Sequence, residues 1–317
     1  MSAFRLRLPA TSANLGPGFD ALGLAMALFL NLEAAPATEF AIEASGRNPD
    51  LVASPENNLI LKTYLDLCPD ATPLRLKIDN GIPLGMGCGS SAAALLAGVC
   101  LANHFGALHL TPQQVLEEAC RREGHPDNVA ACFWGGLTAS AMDSSGVTAA
   151  TFPPSSPGWR LLLALPTGSL ATTEARALLP SSYPRSVAVQ NIQATALLLS
   201  AFALDRPELL LAGTRDGMHQ PFRSAVCPLL PRLLPLAGTP GIYSVTLSGA
   251  GPSVLVISDP SLPLEPLLQT LRAAAGDPDL EIVETRILHP IDAPAAIRAR
   301  ATELDAAENK DMFSVGA

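Results

Sequence analysis

The stretch GIPLGMGCGSSAAALLAGVCLANHFG, residues 81–106, decides the fold of this chain. Four glycines fall within the nine positions from Gly81 to Gly89, and two serines and a block of alanines and leucines follow. The apolar block predicts a buried helix from about Ser90 to His104. Small residues where a loop becomes a helix allow another group to approach the backbone closely. The stretch therefore predicts a glycine loop that opens onto the N-terminus of a buried helix.

A glycine loop in this position predicts a binding site for an anion, most often a phosphate. The first N–H groups of a helix have no partner inside the helix, and the helix dipole adds a partial positive charge there. Ser90 and Ser91 stand where a hydroxyl can reach a phosphate oxygen or a bound Mg²⁺. No lysine follows the glycines, so the loop is not a Walker A sequence. From these residues alone, a tight turn that lets the helix pack closely is the alternative.

The composition indicates a well-buried globular protein and argues against several classes of partner. Of 317 residues, 48% are hydrophobic and 15% are charged, which is enough for two domains with a core each. The net charge of -9 argues against nucleic acid or an anionic membrane as the main partner. Lysine occurs only at positions 62, 77 and 310. Arginines, backbone amides or a metal must therefore bind any anion.

The cysteines and the apolar segments predict a cytoplasmic protein. The six cysteines show no metal-type or redox-type spacing, which favours free, buried thiols in a reducing compartment. The N-terminal residues MSAFRLRLPATSANLG lack the apolar centre of a secretory signal. The most apolar run, TALLLSAFALDRPELLLA (195–212), is broken by charge and proline well short of a membrane span.

Hydrophobic periodicity predicts strands and helices in irregular alternation. Strands are expected at residues 4–10, 28–35, 38–45, 73–79, 159–166, 242–248, 252–258 and 280–288. Helices are expected at 111–124 with a capping box, at 125–136 as a short helix or turn, at 184–217 with a break at 205–207, and at 264–276. The absence of a regular βαβ repeat favours an α+β fold. The Ser-, Pro- and Gly-rich residues 142–159 predict a domain boundary near residue 157.

Four stretches together carry a family resemblance. PLGMGCGSSAAA (83–94) resembles the phosphate-binding motif of the GHMP kinases, P-x-x-x-G-L-G-S-S-A-A. LPATSANLGPGFDALGLAM (8–26), EGHPDNVAACFWGGL (123–137) and TLSGAGPSVLVI (246–257) resemble three further motifs of that family, in the same order. They cover most of the chain and are most similar to the homoserine kinase branch. Cys88 stands where leucine is commoner, after Met86, and we expect these apolar side chains to preserve the loop.

The resemblance implies a two-domain α+β GHMP kinase fold. It implies an N-terminal ATP-binding domain over residues 1–157, with a left-handed βαβ crossover, and a ferredoxin-like C-terminal domain over residues 158–317. It also implies that ATP, with Mg²⁺, lies between the domains and phosphorylates L-homoserine on its hydroxyl to O-phospho-L-homoserine, a step toward threonine. The sequence leaves the oligomeric state open, although homodimers are common among such kinases.

For the nucleotide, the resemblance implies a loop and two further positions. The loop residues are Pro83, Leu84, Gly85, Met86, Gly87, Cys88, Gly89, Ser90 and Ser91. Glu123 would hold Mg²⁺ together with Ser90 or Ser91, because a hard cation prefers carboxylate, hydroxyl and phosphate oxygens. Asn58, in ASPENNLI (53–60), would lie near the adenine.

For the acceptor, the resemblance implies that Asn14 and Asp20 face the amino-acid substrate. Asp20 would orient the hydroxyl that becomes phosphorylated, and whether it also accepts the proton stays open. His125 and Asn128 would lie beside the substrate, and Asp127 is left without a role. From the residues alone, Asp20 equally suits a polar turn or a helix cap, and His125 with Asp127 suits a structural hydrogen-bonded pair.

Two further stretches, ATTEARALLP (171–180) and HQPFRSAVCPLLP (219–231), resemble homoserine kinase signatures. They imply that Arg176 and Arg223 bind the substrate carboxylate, with Thr172 nearby. A planar guanidinium can bind a carboxylate through two parallel hydrogen bonds. The alternative is an ordinary surface arginine at a helix end.

Two other functions stay open at this point. The first is another GHMP-family enzyme, either a kinase for a related small alcohol or a decarboxylase that uses ATP. The second is a non-catalytic homologue that only binds a ligand. The two arginine motifs favour an amino-acid substrate, and the presence of Asp20, Glu123 and both serines favours catalysis.

Overall fold

The computed structural model describes residues 4–152 and 158–290. The strands are β1 (Phe4–Asn14), β2 (Gly18–Pro36), β3 (Ala41–Gly46), β4 (Leu74–Asn80), β5 (Leu137–Asp143), β6 (Gly146–Thr151), β7 (Arg160–Leu165), β8 (Ile242–Leu247), β9 (Val254–Ser258) and β10 (Glu281–Arg286). The helices are α1 (Pro49–Ala53), α2 (Leu59–Leu67), α3 (Ser90–Phe105), α4 (Pro112–Glu123), α5 (Asp127–Trp134), α6 (Thr172–Ala177), α7 (Arg185–Leu204), α8 (Leu210–Gly213), α9 (Gln220–Arg223), α10 (Leu229–Leu233) and α11 (Leu264–Ala275). Two short 3₁₀ turns cover Pro207–Leu209 and Leu234–Leu236.

The first sheet is centred on the long strand β2. Its strands follow the order β3-β4-β2-β5-β6, and β1 pairs with β2 in addition. β1 and β2 form an antiparallel hairpin, and the turn between them carries Asn14 and the residues that follow. β3 and β4 pair in parallel and are joined through α1 and α2. The predicted βαβ crossover therefore lies at β3 and β4.

The helix predictions near the glycine loop are confirmed. α3 is almost wholly buried, because small and apolar side chains cover every side of it. α4 begins with the predicted capping box, in which the Thr111 hydroxyl accepts from the Gln114 N–H and the Gln114 side chain accepts from the Thr111 N–H. Gly124 ends α4 in the left-handed conformation. α3, α4 and α5 contact one another and the first sheet, so they hold the loop at residues 81–89 against the sheet.

The second sheet confirms the ferredoxin-like prediction for the C-terminal half. Its strands follow the order β10-β7-β9-β8, and all three pairings are antiparallel. Helices lie between β7 and β8 and again between β9 and β10, which gives the β-α-β-β-α-β succession of that fold. The predicted break in the long helical region is also present, between α7 and α8.

The chain after the second sheet returns to the first. Ile287 forms a bridge with Met26, and the N–H of Gly136 donates to the Leu288 carbonyl at 2.7 Å. β6 belongs to the first sheet and β7 to the second, so the predicted division falls between them. Residue 157 itself lies outside the described residues, and the division at 157 stays a prediction.

Several segments differ from the sequence-based expectations, among them the short helices α6, α9 and α10, which were not expected. β5 and β6 form a hairpin over residues expected to be irregular, because alanine, serine and threonine hide the alternation of a strand. β2 begins well before residue 28, and Asp20 lies inside it, so the reading of Asp20 as a helix cap is wrong. Small side chains again conceal the strand: a Cβ on Gly23 would lie 2.2 Å from the Asp127 carbonyl oxygen. α1 and α2 were not expected.

Two predictions about apolar residues have different outcomes. All six cysteines are free and buried, as predicted. The helical region expected from residue 184 begins with α7, but α7 is an uninterrupted helix of 20 residues, longer than the apolar run from residue 195 to the break at residue 205. By length and composition α7 could cross a membrane, a test that core helices of soluble proteins also pass. One side of α7, including Asn191, Leu198 and Phe202, is buried in the protein.

Candidate active site

The sequence motifs converge on one cavity of about 190 Å³. Six separate parts of the chain contribute to it: the β1–β2 hairpin near its turn, the glycine loop, the segment from the end of α4 to the start of α5, the start of α6, α9, and the turn at Gly249. Its lining includes Asn14, Asp20, Gly85, Gly87, Cys88, Gly89, Ser90, Ser91, Glu123, His125, Asn128, Thr172, Arg176 and Arg223. A larger hollow of about 710 Å³ lies over the outer face of β1 to β4, away from these residues.

The glycine loop is anchored through its carbonyl groups. The Cys88 carbonyl accepts from the Thr11 N–H at 3.0 Å, and the Gly87 carbonyl accepts from the Ser248 hydroxyl at 2.8 Å. The Ser253 hydroxyl donates to the Met86 carbonyl. These contacts tie the loop to β1 and to the turn between β8 and β9, so both halves of the chain set its shape.

Two glycines of the loop have no room for a side chain. Gly87 and Gly89 adopt φ of 74° and 69°, in the left-handed region that favours glycine. A Cβ would lie 2.1 Å from the Ser248 carbonyl oxygen at Gly87, and 1.9 Å from the Thr11 hydroxyl at Gly89. Close approach to neighbouring protein, as well as to any ligand, therefore explains the glycines.

The amide face of the loop is free to bind an anion. Residues 84–87 form a hydrogen-bonded turn, but within the described residues the N–H groups of Gly89, Ser90 and Ser91, at the start of α3, have no hydrogen-bond acceptor. Gly89 is the N-cap of α3 and, because it has no side chain, provides no capping oxygen. The loop amides and the positive end of the α3 dipole therefore face the cavity together, as a phosphate site requires.

Asp20, the third residue of β2, lies beside the turn of the β1–β2 hairpin in a strained backbone conformation. Asn14, Leu15 and Asp20 have φ of 69°, 49° and 55°, values that side-chain-bearing residues rarely adopt. The Asn14 amide nitrogen donates to the Gly249 carbonyl at 2.9 Å, and its oxygen accepts from the Asp20 N–H at 3.1 Å. Asn14 therefore acts through its contacts, since it fastens Asp20 to the turn of the second sheet.

Asp20 and Arg176 form a two-point ion pair across the cavity. Arg176 Nη1 and Nη2 donate to the two carboxylate oxygens of Asp20 at 2.8 and 2.7 Å. The hydrogen bond with Asp20 is the main cause that raises the pKa of Arg176. The resemblance implied that Asp20 faces the substrate hydroxyl and that Arg176 binds the substrate carboxylate. The pairing of these two residues with each other was not predicted. Both side chains are partly exposed, so the pair can exchange partners with a ligand.

Arg223 is buried beside this pair and is only 1% exposed. Its Nε donates to the Ala175 carbonyl at 3.3 Å, and its Nη1 donates to the Gly249 carbonyl at 3.2 Å. Burial lowers the pKa of Arg223, and the charge of Arg176 lowers it further. Across residues 4–152 and 158–290 no acceptor faces its Nη2. This nitrogen is the free donor that a ligand carboxylate would use.

At the phosphate end, the Ser91 hydroxyl donates to a carboxylate oxygen of Glu123 at 2.7 Å. The sequence did not decide which of Ser90 and Ser91 lies beside the metal site. In the structure, Ser91 contacts Glu123. Burial is the main cause that raises the pKa of Glu123, while the Ser91 hydrogen bond and the charge of His125 oppose the rise. Glu123 is therefore a partly buried acid whose charge is incompletely compensated by the protein.

Asp127, to which the sequence assigned no role, orients His125. One oxygen of Asp127 lies 2.6 Å from His125 Nδ1 and also accepts from the Asn128 N–H at 2.6 Å. Burial lowers the pKa of His125, but the hydrogen bond and charge of Asp127, with the charges of Glu123 and Asp20, outweigh it and raise the pKa. Asp127 therefore favours the charged imidazolium. The only sequence signal for this contact was the spacing H-x-D of His125 and Asp127.

Asn128 contributes its side chain to the floor of the cavity. Its amide oxygen accepts from the Thr11 hydroxyl at 2.7 Å, which links it to the strand that also anchors the glycine loop. Thr172 begins α6 and lines the cavity between the loop and Arg176. Asp20, His125 and Asp127 also lie close enough together to share a cation, but they are not the predicted metal ligands.

Asn58 is not among the residues that line the cavity. Its oxygen accepts from the Leu61 N–H at 2.9 Å as the N-cap of α2, and its nitrogen donates to the Val52 carbonyl at 2.8 Å. Both ends of its amide are therefore used within the protein, and the contact with adenine stays a prediction without structural support. Pro83, Leu84 and Met86 belong to the loop but do not line this cavity.

Comparisons of the sequence with known proteins find one family model and several similar relatives. Residues 58–136 match the family model described as GHMP kinases N terminal domain. The chain is 46% identical over 259 residues to a homoserine kinase of Solibacter usitatus, an alignment that covers 80% of this chain and 85% of the relative. It is 38% identical over 256 residues to a homoserine kinase of Carboxydothermus hydrogenoformans, covering 79% and 84%.

Comparisons of the structure give the same fold. The homoserine kinase of Cytophaga hutchinsonii superposes with a TM-score of 0.76 at 22% identity, covering 93% of this chain and 97% of that one. The mevalonate kinase of L. major superposes with a TM-score of 0.67 at 14% identity, covering 90% and 96%. At these identities the likeness concerns the fold alone.

Proposed function

The chain belongs to the homoserine kinases, a branch of the GHMP kinase family, and on this premise we propose that it phosphorylates L-homoserine with ATP. The products are O-phospho-L-homoserine and ADP, and the reaction serves threonine biosynthesis in the cytoplasm. The observation that carries the proposal is the single cavity in which Arg176 and Arg223 meet the amide face of the glycine loop. A carboxylate-binding end and a phosphate-binding end thus share one small space.

The arginine end selects an amino acid as the acceptor. Arg223 offers an Nη2 that makes no hydrogen bond to the described residues, and Arg176 offers two donors that Asp20 occupies in the free protein. The substrate carboxylate replaces Asp20 as the partner of Arg176, and Asp20 then becomes available to the ammonium group or the hydroxyl of the same substrate. A zwitterion can make this exchange without leaving either charge unpaired, whereas a sugar or mevalonate lacks the ammonium group.

The glycine-loop end receives the phosphates. The free amides of Gly89, Ser90 and Ser91 and the dipole of α3 supply fixed positive potential where negative charge develops during transfer. A cavity of about 190 Å³ is smaller than the roughly 300–1,000 Å³ of pockets that enclose drug-sized ligands. It therefore suits the acceptor and the terminal phosphate, and the remainder of the nucleotide extends beyond the loop.

Mg²⁺ fits the residues at the phosphate end. Ser91 and Glu123 provide a hydroxyl and a carboxylate, the hard oxygen ligands that this ion prefers. The raised pKa of Glu123, caused mainly by burial, means that a cation beside it would be stabilising. When bound, the ion neutralises phosphate charge, and Ser91 and Glu123 would hold it.

The chain's own residues contribute mainly by positioning. Asn14 holds Asp20 near the acceptor, and Asp127 holds His125 with its other ring nitrogen available to the cavity. We assign to Asp20 the orientation of the acceptor hydroxyl, and this role needs only its place in the cavity and its freedom once Arg176 is engaged. Correct alignment of acceptor and phosphate supplies a large part of the rate enhancement in phosphoryl transfer.

The experiment is coupled ADP release with Mg·ATP and one acceptor at a time. L-Homoserine is compared with L-serine, L-threonine, mevalonate and galactose, and the Asp20→Asn variant serves as the matched control. Release with L-homoserine, strongly reduced in the variant, supports the proposal. Release with another acceptor would replace the substrate by another small alcohol, and ATP binding without release for any acceptor would favour a non-catalytic homologue.

A further inference from the structure

His219 is a fully buried histidine that none of the roles above uses. Its Nε2 lies 2.8 Å from the Gly16 carbonyl oxygen, and its Nδ1 lies 3.2 Å from Arg223 Nη1. A carbonyl oxygen can only accept a hydrogen bond, so Nε2 carries the proton. A guanidinium can only donate, so Nδ1 is unprotonated. The two neighbours therefore require one neutral tautomer, with the proton on Nε2.

The imidazole joins two parts of the substrate cavity that are distant in sequence. Gly16 belongs to the turn that carries Asn14 and Asp20, whereas Arg223 belongs to α9. The Phe19 ring lies over both groups, with its centroid 5.5 Å from the His219 ring and 5.5 Å from the Arg223 guanidinium carbon. His219 thus fills the space behind Arg223 and closes it from solvent.

We propose that His219 is a positioning residue that holds Arg223 ready for the substrate carboxylate. Of the Arg223 donors, Nε and Nη1 are directed by the Ala175 and Gly249 carbonyls and by His219 Nδ1. These acceptors fix the plane of the guanidinium, and Nη2 is left for the ligand. The proposal rests on the proposed function for the identity of that ligand, but the tautomer and the contact with Arg223 do not depend on it.

The surrounding charges agree with a neutral imidazole. Asp216 Oδ2 lies 3.5 Å from His219 Nε2, but the Asp216 carboxylate accepts from the N–H groups of Met218, His219 and Gln220. Burial lowers the pKa of His219, the charge of Arg223 lowers it also, and the charges of Asp216 and Asp20 oppose the shift. Protonation of Nδ1 would remove the acceptor for Arg223 and bring two cations together. Arg176 and Cys227 are the other titratable groups near Arg223.

Two substitutions separate the two hydrogen bonds of His219. In His219→Asn the amide oxygen can occupy the place of Nδ1 and accept from Arg223, and in His219→Gln the amide nitrogen can occupy the place of Nε2 and donate to Gly16. We expect His219→Gln to raise the KM for L-homoserine about tenfold, the effect of one lost hydrogen bond to a charged group, with the KM for ATP within about twofold. His219→Asn should retain most of the affinity. Equal effects of both variants would overturn the proposal.

A double-mutant cycle shows whether His219 acts through Arg223. In an Arg223→Ala background, His219→Gln should cause no further rise in the KM for L-homoserine, because the group that it positions is gone. If the two substitutions instead raise the KM for L-homoserine by the product of their separate effects, His219 does not act through Arg223. Thermal unfolding of each variant, measured beside the kinetics, identifies any general loss of the fold.

A measurement without turnover keeps this inference separate from the proposed function. Long-range ¹H–¹⁵N spectra of the wild-type protein without ligand should show His219 as the Nε2–H tautomer from pH 6 to 8. The Arg223 side-chain N–H signals should exchange faster with water in His219→Gln than in wild type. An Nδ1–H tautomer, or an imidazolium in this pH range, would refute the arrangement even if the enzyme phosphorylates L-homoserine. Absence of homoserine phosphorylation with the expected spectra would refute only the proposed function.

Discussion

Replacing Arg176 with alanine should weaken the binding of L-homoserine and leave the binding of ATP nearly unchanged. Arg176 lies at the substrate end of the cavity and contacts Asp20, and the glycine loop has its own anchors in β1 and in the β8–β9 turn. The substitution removes two donors for the substrate carboxylate. It does not disturb the amides that receive the phosphates.

The size of the loss in affinity follows from the difference between two ion pairs of Arg176, the one with Asp20 in the free protein and the one with the substrate carboxylate. In the free protein the Arg176 and Asp20 side chains are 42% and 32% exposed, and exposed pairs of this kind contribute only about 0–1 kcal/mol. Hydrogen bonds between Arg176 and a substrate carboxylate contribute about 1.5–3 kcal/mol. After the lost pair with Asp20 is subtracted, about 0.5–3 kcal/mol remains, which is a rise in KM of about 2- to 160-fold.

The assay is coupled ADP release with L-homoserine and ATP varied in turn. Arg185→Ala, at the exposed start of α7 and outside the cavity, is the matched control for loss of an arginine. Arg176→Lys should recover only part of the affinity, because an ammonium group cannot bind a carboxylate through two parallel bonds. A homoserine KM within twofold of that of the Arg185 variant would refute the reasoning. A parallel rise in the KM for ATP would show that Arg176 supports the shape of the site instead.

Three further predictions concern separate parts of the site and the fold. Ser91→Ala should raise the Mg²⁺ concentration required for half-maximal activity severalfold more than Ser90→Ala, because the Ser91 hydroxyl contacts the acid at 2.7 Å; equal shifts would contradict this. Asp127→Asn should reduce the free energy of unfolding more at pH 6 than at pH 9. The raised pKa of His125 adds stability below its ordinary value near 6.5, and this stability is lost as the pH rises through the raised value. Chemical denaturation at both pH values tests this, and an equal loss of unfolding free energy at the two pH values would disprove it. Asn58→Ala should lower the free energy of unfolding by about 1–2 kcal/mol through loss of the α2 cap, with the KM for ATP unchanged. A stable variant with a raised KM for ATP would instead restore the nucleotide role.

Local signals were sufficient for the elements that frame the site. The glycine loop and the start of α3 were predicted from residues 81–106, and the capping box of α4 was predicted from Thr111 and Gln114. These features depend on contacts between residues a few positions apart, such as the bonds of a helix terminus. The individual strands of the second half were also expected, since most of their apolar runs are rich in leucine, valine and isoleucine, but their pairing was not predicted from those runs.

Strands built from small residues were missed. The β5–β6 hairpin consists largely of glycine, alanine, serine and threonine, and the first half of β2 places glycine and alanine among larger apolar residues, so the alternation in hydrophobicity is weak in both. Their strand conformation follows from neighbours in the sheet and from helix α5, which packs onto Gly23. Such contacts are invisible to a period count along one segment.

The sequence by itself determined which residue types form the site: a glycine loop before a buried helix, a serine pair, and the acids and arginines of four motifs. Only the tertiary structure decided how they pair. Asp20 contacts Arg176, which lies 156 positions further along the chain. Asn14 contacts Gly249 at a separation of 235 positions, and Gly16 contacts His219 at a separation of 203 positions. Caps and loops are set by neighbours along the chain, whereas these pairings exist only because two sheets from different halves of the chain are packed against each other. Their partners could therefore not be read from the order of the residues.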